Sequence, residues 1–295
     1  MIRWITDLLG TAPFTDPEIA DDVAVLDVRD LVDKHGNTAE VTLEKIERGV
    51  ALLKAGRRLV VCCDYGISRS NAIAAGIVSR LTNVSLDAAV RQVVRSTGEQ
   101  EIKLEPLNAV RLALAGGAAT RRSGSPRVLV TGGSGFVGGR LRAALDGVLY
   151  AHAPARRDAD LIAGAVDLDL LVKEHEINCI VHLANPRVYT SNRALGETVS
   201  MLRNTLEVCR SNDVRLVYPS GWEIYSGYRS NELLAHEYVP PFPRGPYGET
   251  KVLCEQLIDI HRTQYGLRCA VLRSSPLYGR TSDRPKFVYN FLAKA

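Results

Sequence analysis

The stretch RVLVTGGSGFVGGRL, residues 127–141, constrains the fold more than any other part of the chain. A short run of β-branched and aliphatic residues ends at Thr131 and a helix-like pattern follows, with glycines at positions 132, 135 and 138. Gly132 permits a tight turn, Gly135 lets the backbone approach a pyrophosphate, and Gly138 allows the helix to pack closely on the strand. The pattern therefore predicts a strand–turn–helix unit that holds a dinucleotide at a helix N-terminus.

The rest of the chain predicts further units of this kind. Apolar runs CIVHLA, VRLVYPS and LRCAVLRS alternate with helix-length segments, which indicates a parallel sheet. Before them, VAVLDV and RLVVCC are predicted strands, accompanied by four helix-like segments between residues 41 and 114. We predict an α/β chain of two domains: a small α/β domain at 1–116, a Pro- and Ser-containing linker at 117–126, and a Rossmann-type parallel sheet with helices on both faces at 127–295.

Composition excludes several classes of protein. The formal charge is only +4 over 295 residues, and the sequence contains no block of like charge, so we expect no nucleic-acid binding. No apolar run reaches the roughly 18 residues that span a bilayer, and no signal-peptide pattern opens the sequence. Six cysteines in a chain of this size do not suggest a disulfide framework, and the histidines and cysteines show no metal-ligand spacing. We expect a cytoplasmic protein without a metal or membrane partner, and a homodimer is one possible assembly.

A second motif, YGETK, places Tyr247 four residues before Lys251. On a helix this spacing puts both side chains on one face. A lysine cation beside a phenol stabilises the phenolate and brings the tyrosine pKa from about 10 toward a value useful for proton transfer. The pair is thus a candidate acid–base group.

Together, TGGSGFVG, IVHLAN, YPSGWEIYSG, YGETK and LRSSPLYG resemble the extended short-chain dehydrogenase/reductase family, which includes nucleotide-sugar epimerases, dehydratases and reductases. The resemblance implies NAD or NADP as cofactor and a nucleotide sugar as a possible substrate. It also implies that Tyr247 is the acid–base residue and that Lys251 contacts the ribose. The cofactor contacts that it implies are Gly132, Gly135, Phe136, Val137, Gly138, Asp167, Leu183, Ala184, Ser220, Tyr247 and Lys251.

Three features depart from that family. The catalytic hydroxyl expected four residues before Tyr225 falls on Gly221, which leaves neighbouring Ser220 as the candidate. After the second predicted strand no acidic residue is present to hold the ribose of NAD, whereas Arg156 and Arg157 could meet the 2′-phosphate of NADP or be solvated. The chain also stops at FVYNFLAKA, so we expect the C-terminal substrate lobe to be missing.

The stretch VVCCDYGISRSN, residues 60–71, predicts a second anion site. A buried-type strand leads to Cys63, Gly66 permits a tight turn, and a small-residue helix begins near Arg69. Loop amides at a helix N-terminus suit an oxyanion, and their field together with Arg69 favours a thiolate at Cys63. Arg69 could grip two phosphoryl oxygens, and Ser70 could donate a hydrogen bond to the sulfur. Cys209 and Arg215 repeat the spacing without a glycine or a preceding strand, so spacing alone is not specific.

This loop resembles the signature of cysteine-dependent, dual-specificity protein phosphatases over residues 1–115. The resemblance implies that Cys63 attacks phosphorus, on a phosphoprotein or a small phosphate ester, and that an aspartate upstream protonates the leaving oxygen. Asp33 is preferred to Asp30, with Asp27 a third candidate. One departure is Cys62, where the family has a histidine that helps to order the loop. The implied phosphate-binding residues are Asp64, Tyr65, Gly66, Ile67, Ser68 and Arg69.

The leading hypothesis is a bifunctional protein, with a cysteine-dependent phosphatase followed by an NAD(P)-binding epimerase-, dehydratase- or reductase-like domain. Two alternatives differ in which domain is catalytic. In one, a non-catalytic NAD(P)-sensing domain regulates the phosphatase. In the other, an epimerase or reductase carries an inactive phosphatase domain.

Overall fold

A computed structural model describes residues 1–16, 19–20, 22–33, 36–115, 125–186, 191–229, 238–277 and 279. The chain forms two compact units, one of Met1–Arg122 with Ala163–Leu170 and one of Ser123–Ile162 with Leu171–Ala295. Most of the predicted linker, 117–124, and the final stretch FVYNFLAKA lie outside the described residues.

The first unit is built on a four-stranded sheet in the order β1-β2-β4-β3. Strand β4 is buried along its whole length because parallel strands β2 and β3 flank it on both sides. The sequence did not predict β1 or β2, since the segment LGTAP contains a glycine and a proline and has no alternating apolar pattern. The elements are β1 (Arg3–Trp4), β2 (Leu9–Pro13), β3 (Ala24–Asp27), α1 (Ala39–Lys54), β4 (Leu59–Cys63), α2 (Arg69–Thr82), α3 (Leu86–Thr97) and α4 (Leu104–Leu114).

The second unit is a five-stranded, fully parallel sheet in the order β6-β5-β7-β8-β9, flanked by helices. This arrangement confirms the predicted α/β class and Rossmann-type sheet. The elements from residue 127 onward are β5 (Arg127–Thr131), α5 (Phe136–Leu145), β6 (Tyr150–His152), α6 (Val166–Glu174), β7 (Cys179–His182), α7 (Asn192–Ser211), β8 (Arg215–Gly221), a 3-10 helix (Trp222–Tyr225), α8 (Pro246–Tyr265) and β9 (Cys269–Ser274).

The strand order of the second unit places its candidate site. The chain passes from β5 to β6 on one side of it and then crosses to β7 on the other side, so the order of strands reverses between β5 and β7. In open parallel sheets a crevice opens at such a reversal, beyond the carboxyl ends of the two strands. The glycine loop follows β5 at this edge, and residues 183–185 follow β7.

Three further features concern membrane, metal and disulfide chemistry. Within the described residues, no helix combines the length and apolar character needed to cross a bilayer. The same residues contain no group of three or more His, Cys, Asp or Glu side chains placed to hold a metal ion. All six cysteines are free thiols.

Candidate functional site

The glycine loop after β5 has a backbone that only glycine accommodates at two positions. Gly132 has a φ of 68°, and a Cβ there would lie 2.8 Å from the amide nitrogen of Ala184 after β7. A Cβ on Gly138, in the first turn of α5, would lie 2.7 Å from the Cα of Gly133. The loop therefore packs against β7 on one side and its own helix on the other. The N-terminus of α5, capped by Gly135, is left open to an anion.

A cavity of about 530 Å³ lies over this loop. Its wall includes every predicted cofactor contact except Asp167, which lies in the first turn of α6. An adenine contact for Asp167 stays a prediction. The lining residues are Gly132, Gly135, Phe136, Val137, Gly138, His182, Leu183, Ala184, Asn185, Pro219, Ser220, Gly221, Trp222, Glu223, Tyr247, Lys251, Ser274, Ser275, Pro276 and Leu277.

Lys251 and Tyr247 reach the cavity from α8, one helical turn apart. The Lys251 ammonium is buried and lies 5.6 Å from the centroid of the Tyr247 ring. It donates hydrogen bonds to the Tyr218 hydroxyl and the Pro219 carbonyl, both at 3.1 Å. Burial lowers the pKa of Lys251, and burial raises the pKa of Tyr218 well above its usual value. Tyr218 thus remains a neutral phenol that orients the lysine, a contact that the sequence motif did not predict.

The position of the missing hydroxyl is occupied by a carboxylate. A Cβ on Gly221 would collide with the Oε2 atom of Glu223, so the Glu223 side chain folds back over the glycine. The Ser220 hydroxyl is buried in the cavity wall and has no hydrogen-bond partner among the described residues. Sequence analysis considered Ser220 but missed Glu223, which follows Gly221 by two residues.

Arg156 and Arg157, the candidates for a 2′-phosphate contact, each have an acidic neighbour. Arg156 pairs with Asp160 at 3.0 Å and Arg157 lies 3.6 Å from Asp158. Both arginine side chains are exposed, and neither lines the cavity. The two arginines therefore do not distinguish NADP from NAD.

The loop after β4, a candidate anion site, is also a tight turn between a parallel strand and a helix N-terminus. Gly66 has a φ of 67°, and a Cβ there would lie 2.5 Å from the backbone nitrogen of Pro13 on β2. This contact folds the loop tightly between Cys63, the last residue of β4, and Arg69, the first of α2. The Cys63 sulfur lies 3.4 Å from the Ser70 hydroxyl. The structure thus places the predicted nucleophile, glycine turn and helix start together.

The two adjacent thiols of β4 have opposite electrostatics. Burial on its own raises the pKa of Cys63, but hydrogen bonds from the Ser70 hydroxyl and from backbone amides, including those of Ile67 and Tyr65, outweigh it and lower the pKa. Burial raises the pKa of Cys62 to about 12, and the neighbouring Cys63 adds to the effect. Cys62 packs among Ala12, Val23 and Val60, on an apolar side of the sheet. Of these two thiols, only Cys63 has surroundings that favour the thiolate.

Arg69 is almost fully buried and is held by four groups. One terminal nitrogen donates to the carbonyls of Arg29, at 3.0 Å, and Leu31, at 2.8 Å. The other pairs with the Asp64 carboxylate, and Nε lies 3.7 Å from Asp33 Oδ1. These contacts tie Arg69 to the segment that carries the candidate acids.

The candidate acids differ in their surroundings. Asp33 lies beside Arg69 with 28% of its side chain exposed, and its Oδ1 atom is buried without a hydrogen bond from the described residues. Asp30 points to Lys45, at 2.8 Å, and is 54% exposed. Asp27 is bound by the Arg29 guanidinium. The geometry favours Asp33 as the candidate acid, because it is the one beside Arg69. The sequence also favoured Asp33, but only narrowly.

The remaining predicted phosphate contacts differ in exposure. Tyr65 is 74% exposed, whereas Ser68 is buried and its hydroxyl accepts a hydrogen bond from the Lys103 amide at 3.1 Å. The Asp64 carboxylate contacts Arg69, as described above, so an anion would compete with it for the guanidinium; a phosphate contact for the rest of Asp64 stays a prediction.

Comparison with known proteins identifies relatives of the second unit. The model of the "NAD dependent epimerase/dehydratase family" matches residues 128–295. A UDP-glucose 4-epimerase of Azospirillum brasilense is 28% identical over 179 residues, which are 50% of this chain and 48% of that protein. A dTDP-glucose 4,6-dehydratase of Mycolicibacterium smegmatis is 29% identical over 192 residues, or 55% of this chain and 56% of that one. The chain spans about half the length of the curated relatives it matches.

A solved structure supports the fold. The dTDP-4-dehydrorhamnose reductase of Bacillus anthracis, determined in complex with NADP, superposes with a TM-score of 0.50. The superposition covers 59% of this chain and 61% of that one at 22% identity, a likeness of fold alone. The family match begins at residue 128 and does not extend to the Cys63 loop.

Proposed function

This chain belongs to the NAD dependent epimerase/dehydratase family, and we propose that its second unit is an enzyme that acts on a nucleotide sugar. The sequence prediction for this half of the chain is confirmed at the level of the family, and the cofactor is NAD or NADP. One observation carries the proposal. Tyr247, Lys251, Ser220 and Glu223 line the same cavity as the glycine loop, so acid–base groups face the place where a dinucleotide would lie. The curated relatives include enzymes of UDP-glucose and dTDP-glucose.

The residues present fit a dinucleotide. A Cβ at Gly132 or Gly138 would collide with neighbouring backbone, so no side chain covers the loop at these positions. The open N-terminus of α5 suits a pyrophosphate. Leu183 and Ala184 would flank the cofactor, and the Lys251 ammonium would reach its ribose. When bound, the nicotinamide accepts a hydride from the sugar and can return it.

The chain's own side chains move the protons. Tyr247, as the phenolate that the Lys251 cation stabilises, takes the proton of a sugar hydroxyl as that carbon is oxidised, and it becomes a neutral phenol. Ser220 donates a hydrogen bond to the same oxygen. Glu223 is a second acid–base group, which a dehydration requires for the leaving hydroxyl and a simple epimerisation does not. Glu223 therefore favours a dehydratase within the family's range of reactions.

A panel assay tests this function. Wild-type protein with NAD or NADP is incubated with UDP- and dTDP-sugars, and products are separated by chromatography and mass. We expect a mass loss of one water, or an epimer of equal mass, that Tyr247→Phe reduces by about 100- to 10,000-fold. Tyr228→Phe is the matched control, because the Tyr228 hydroxyl donates a hydrogen bond to the Pro240 carbonyl and lies outside the cavity lining. Cofactor binding without any product from the panel would support the NAD(P)-sensing alternative and contradict the enzymatic proposal.

A cysteine-dependent phosphatase in the first unit is the second activity we propose. It rests on the loop geometry: a cysteine 2% exposed whose pKa is nevertheless lowered, at the N-terminus of a helix that begins with a buried arginine. An apolar environment alone would raise the thiol pKa and leave the cysteine inert, as it does for Cys62. A structural cysteine does not require such an arrangement.

The proposed reaction has two steps. The Cys63 thiolate attacks the phosphorus of a phosphate monoester, an S–P bond forms, and the P–O ester bond breaks as Asp33 gives its proton to the leaving oxygen. Water then attacks the cysteinyl phosphate while Asp33 takes back a proton, and the S–P bond breaks to release phosphate. Arg69 and the loop amides hold the three phosphoryl oxygens in both steps. Arg69 can do so once a phosphoryl oxygen replaces Asp64.

Hydrolysis of an aryl phosphate between pH 5 and 8 tests this second activity. We expect turnover in the wild type, loss of more than about 1,000-fold in Cys63→Ser, and little change in the adjacent control Cys62→Ser. Equal activity in wild type and Cys63→Ser would contradict the mechanism. Turnover that changes severalfold when NAD or NADP is added would favour the regulatory alternative, whereas a folded but inactive wild type would favour the epimerase with an inactive first domain.

A further inference from the structure

Two carbonyl groups of the Cys63 loop are held from outside the loop. The Gly66 carbonyl accepts a hydrogen bond from the Arg3 guanidinium at 3.1 Å. The Ile67 carbonyl accepts one from the Asn71 side-chain amide at 2.7 Å. In a trans peptide the C=O and the following N–H point in opposite directions, and the described residues contain no cis peptide. Holding the two carbonyls outward therefore turns the Ile67 and Ser68 amides inward.

The inward side of the loop faces the Cys63 sulfur, the proposed nucleophile. The Ile67 amide is one of the donors that stabilise the Cys63 thiolate, and it belongs to the peptide whose carbonyl Arg3 holds. The Ser68 amide belongs to the peptide held by Asn71 and is the last one before α2. Arg3 and Asn71 thus act on two successive peptide groups of one loop.

Asn71 is itself fixed by the sheet. Its side-chain oxygen accepts a hydrogen bond from the Thr11 hydroxyl at 2.8 Å, and both residues are completely buried. Thr11 lies on β2, which pairs in parallel with β4, so the hydrogen bond links the strand beside the nucleophile to the loop that follows it. Buried polar groups are costly to leave unpaired, and this pair satisfies both members.

We propose that Asn71 and Arg3 are positioning residues of the Cys63 loop, that Thr11 orders Asn71, and that together they aim the loop amides at the sulfur and at a bound phosphate. This inference rests on the proposed phosphate chemistry of the first unit. In this proposal Arg3, Thr11 and Asn71 order the loop. Cys62 does not, because it packs in an apolar cluster.

The double variant Thr11→Val with Asn71→Leu tests the proposal. It replaces both hydrogen-bonding partners by apolar groups of similar size, which costs little stability compared with removing one partner. It changes no charge, so Arg69 and Ser70 on α2, Asp64 in the loop, Asp33 after β3, Cys62 on β4 and the Arg3 guanidinium are retained around Cys63. Any shift in thiol behaviour then comes from the loop.

The measurement is alkylation of Cys63 by iodoacetamide from pH 5 to 8, followed by mass spectrometry of its peptide, with and without inorganic phosphate. In the double variant we expect the rate at pH 6 to fall about tenfold, equivalent to about 1.4 kcal/mol on the thiolate. Phosphate should also protect the thiol only at concentrations about tenfold higher than in the wild type. Asn204→Leu is the matched control, since it removes an equally buried amide-to-carbonyl bond, to Leu161, in the second unit.

A second variant tests the proposal if the first does not fold. Arg3→Met removes the hydrogen bond to the Gly66 carbonyl, and Arg3 is only half-buried. Glu99→Gln is its control, because it removes the ion-pair partner of Arg3 and leaves the arginine in place. An unchanged alkylation profile with unchanged phosphate protection, in either folded variant, would overturn the proposal. Wild-type protein that shows reactive Cys63 and phosphate protection but hydrolyses no ester would instead overturn the phosphatase and leave the positioning roles intact.

Discussion

The loop after β4 and the loop after β5 share three backbone features. Each leaves the carboxyl end of a parallel strand and enters the N-terminus of a helix, and each turns on a glycine in the left-handed region, at φ values of 67° and 68°. In both, a side chain on that glycine would strike the backbone of the adjacent parallel strand. The two loops share the elements that make an anion site from amide groups alone.

The side chains separate them. The first loop has a thiol with a lowered pKa, a buried guanidinium and a carboxylate around its amides, at Cys63, Arg69 and Asp64. The second consists of small residues, TGGSG, and leaves acid–base chemistry to β8 and α8 across a cavity of about 530 Å³. The comparison teaches that backbone geometry selects for an anion, whereas the flanking side chains decide whether the anion is attacked or held.

Thiol reactivity should differ most. At pH 7 a pKa of about 12 leaves Cys62 ionised in roughly one molecule in 100,000, whereas hydrogen bonds from Ser70 and the loop amides lower the pKa of Cys63 despite its burial and favour its thiolate. The higher intrinsic nucleophilicity of a high-pKa thiolate recovers part of that difference. We expect Cys63 to alkylate about 100-fold faster or more, by quantitative mass spectrometry, than Cys62 or the buried Cys254 of the second unit, whose pKa burial also raises. Comparable rates at Cys63 and Cys254 would remove the chemical distinction between the loops.

Reciprocal glycine variants should separate the two sites. Gly66→Ala places a Cβ against Pro13 and forces a left-handed alanine, which costs about 1–3 kcal/mol before the collision is relieved. We expect phosphate protection of Cys63 to weaken by about 100-fold while NAD(P) affinity, measured by calorimetry, stays within twofold. Gly132→Ala should do the opposite. Loss of both ligands in either variant would mean that the loops do not function independently.

The buried polar pairs beneath the loops should respond differently to acid. Thr11–Asn71 cannot titrate, but the Thr131 hydroxyl lies 3.0 Å from the Nδ1 atom of His182, whose pKa burial lowers to about 3. A folded pKa below the unfolded value of about 6.5 gives stability that is present above pH 6.5 and lost as the pH falls toward 3. Between pH 7 and 5 we expect the second unit to lose about 2 kcal/mol of unfolding free energy through this group.

Urea unfolding at pH 7 and 5 measures that loss. The sequence has two tryptophans, Trp4 in the first unit and Trp222 in the second, so Trp4→Phe leaves fluorescence that reports the second unit. The same experiment on His182→Gln should show a flatter dependence on pH. His152 and His261, whose pKa values burial also lowers, contribute with the same sign and remain in both proteins. An equal pH dependence with and without His182 would contradict the assignment.

The smallest expected effect concerns Asp64, which has no counterpart in the second loop. Asp64→Asn removes the carboxylate that occupies one end of the Arg69 guanidinium, and we expect phosphate to protect Cys63 at about fivefold lower concentration. Asp30→Asn is the control, because it removes one negative charge from the same rim but from a partner of Lys45. Equal gains in the two variants would indicate a general charge effect and no competition for Arg69.

Strong local patterns made much of this structure predictable. The strand before Cys63, the glycine loop after β5 and the single helix that carries Tyr247 and Lys251 all lie where sequence patterns placed them. Strands β1 and β2 were missed because they are short and, in β2, contain glycine and proline. Strand β2 pairs with β4, which follows it by more than 40 residues, and β1 pairs with β2.

Contacts between distant residues were not predictable in this way. Spacing could not choose between Asp33 and Asp30, and the choice depends on which of them the fold brings to Arg69. Glu223 was missed because only the 3-10 helix after β8 turns its carboxylate back over Gly221. Lys251 finds its partner Tyr218 on a strand 33 residues earlier.

By itself, the sequence determined the class of the fold, the family of the second half and the positions of the two strand–loop–helix turns that we propose as anion sites. These features follow from glycine conformation, apolar periodicity and helix spacing, which act over a few neighbouring residues. The tertiary structure alone decided which aspartate faces Arg69 and which carboxylate stands beside Gly221. The reason is that pKa values and hydrogen bonds depend on burial and on partners tens of residues away, and only packing brings those partners together.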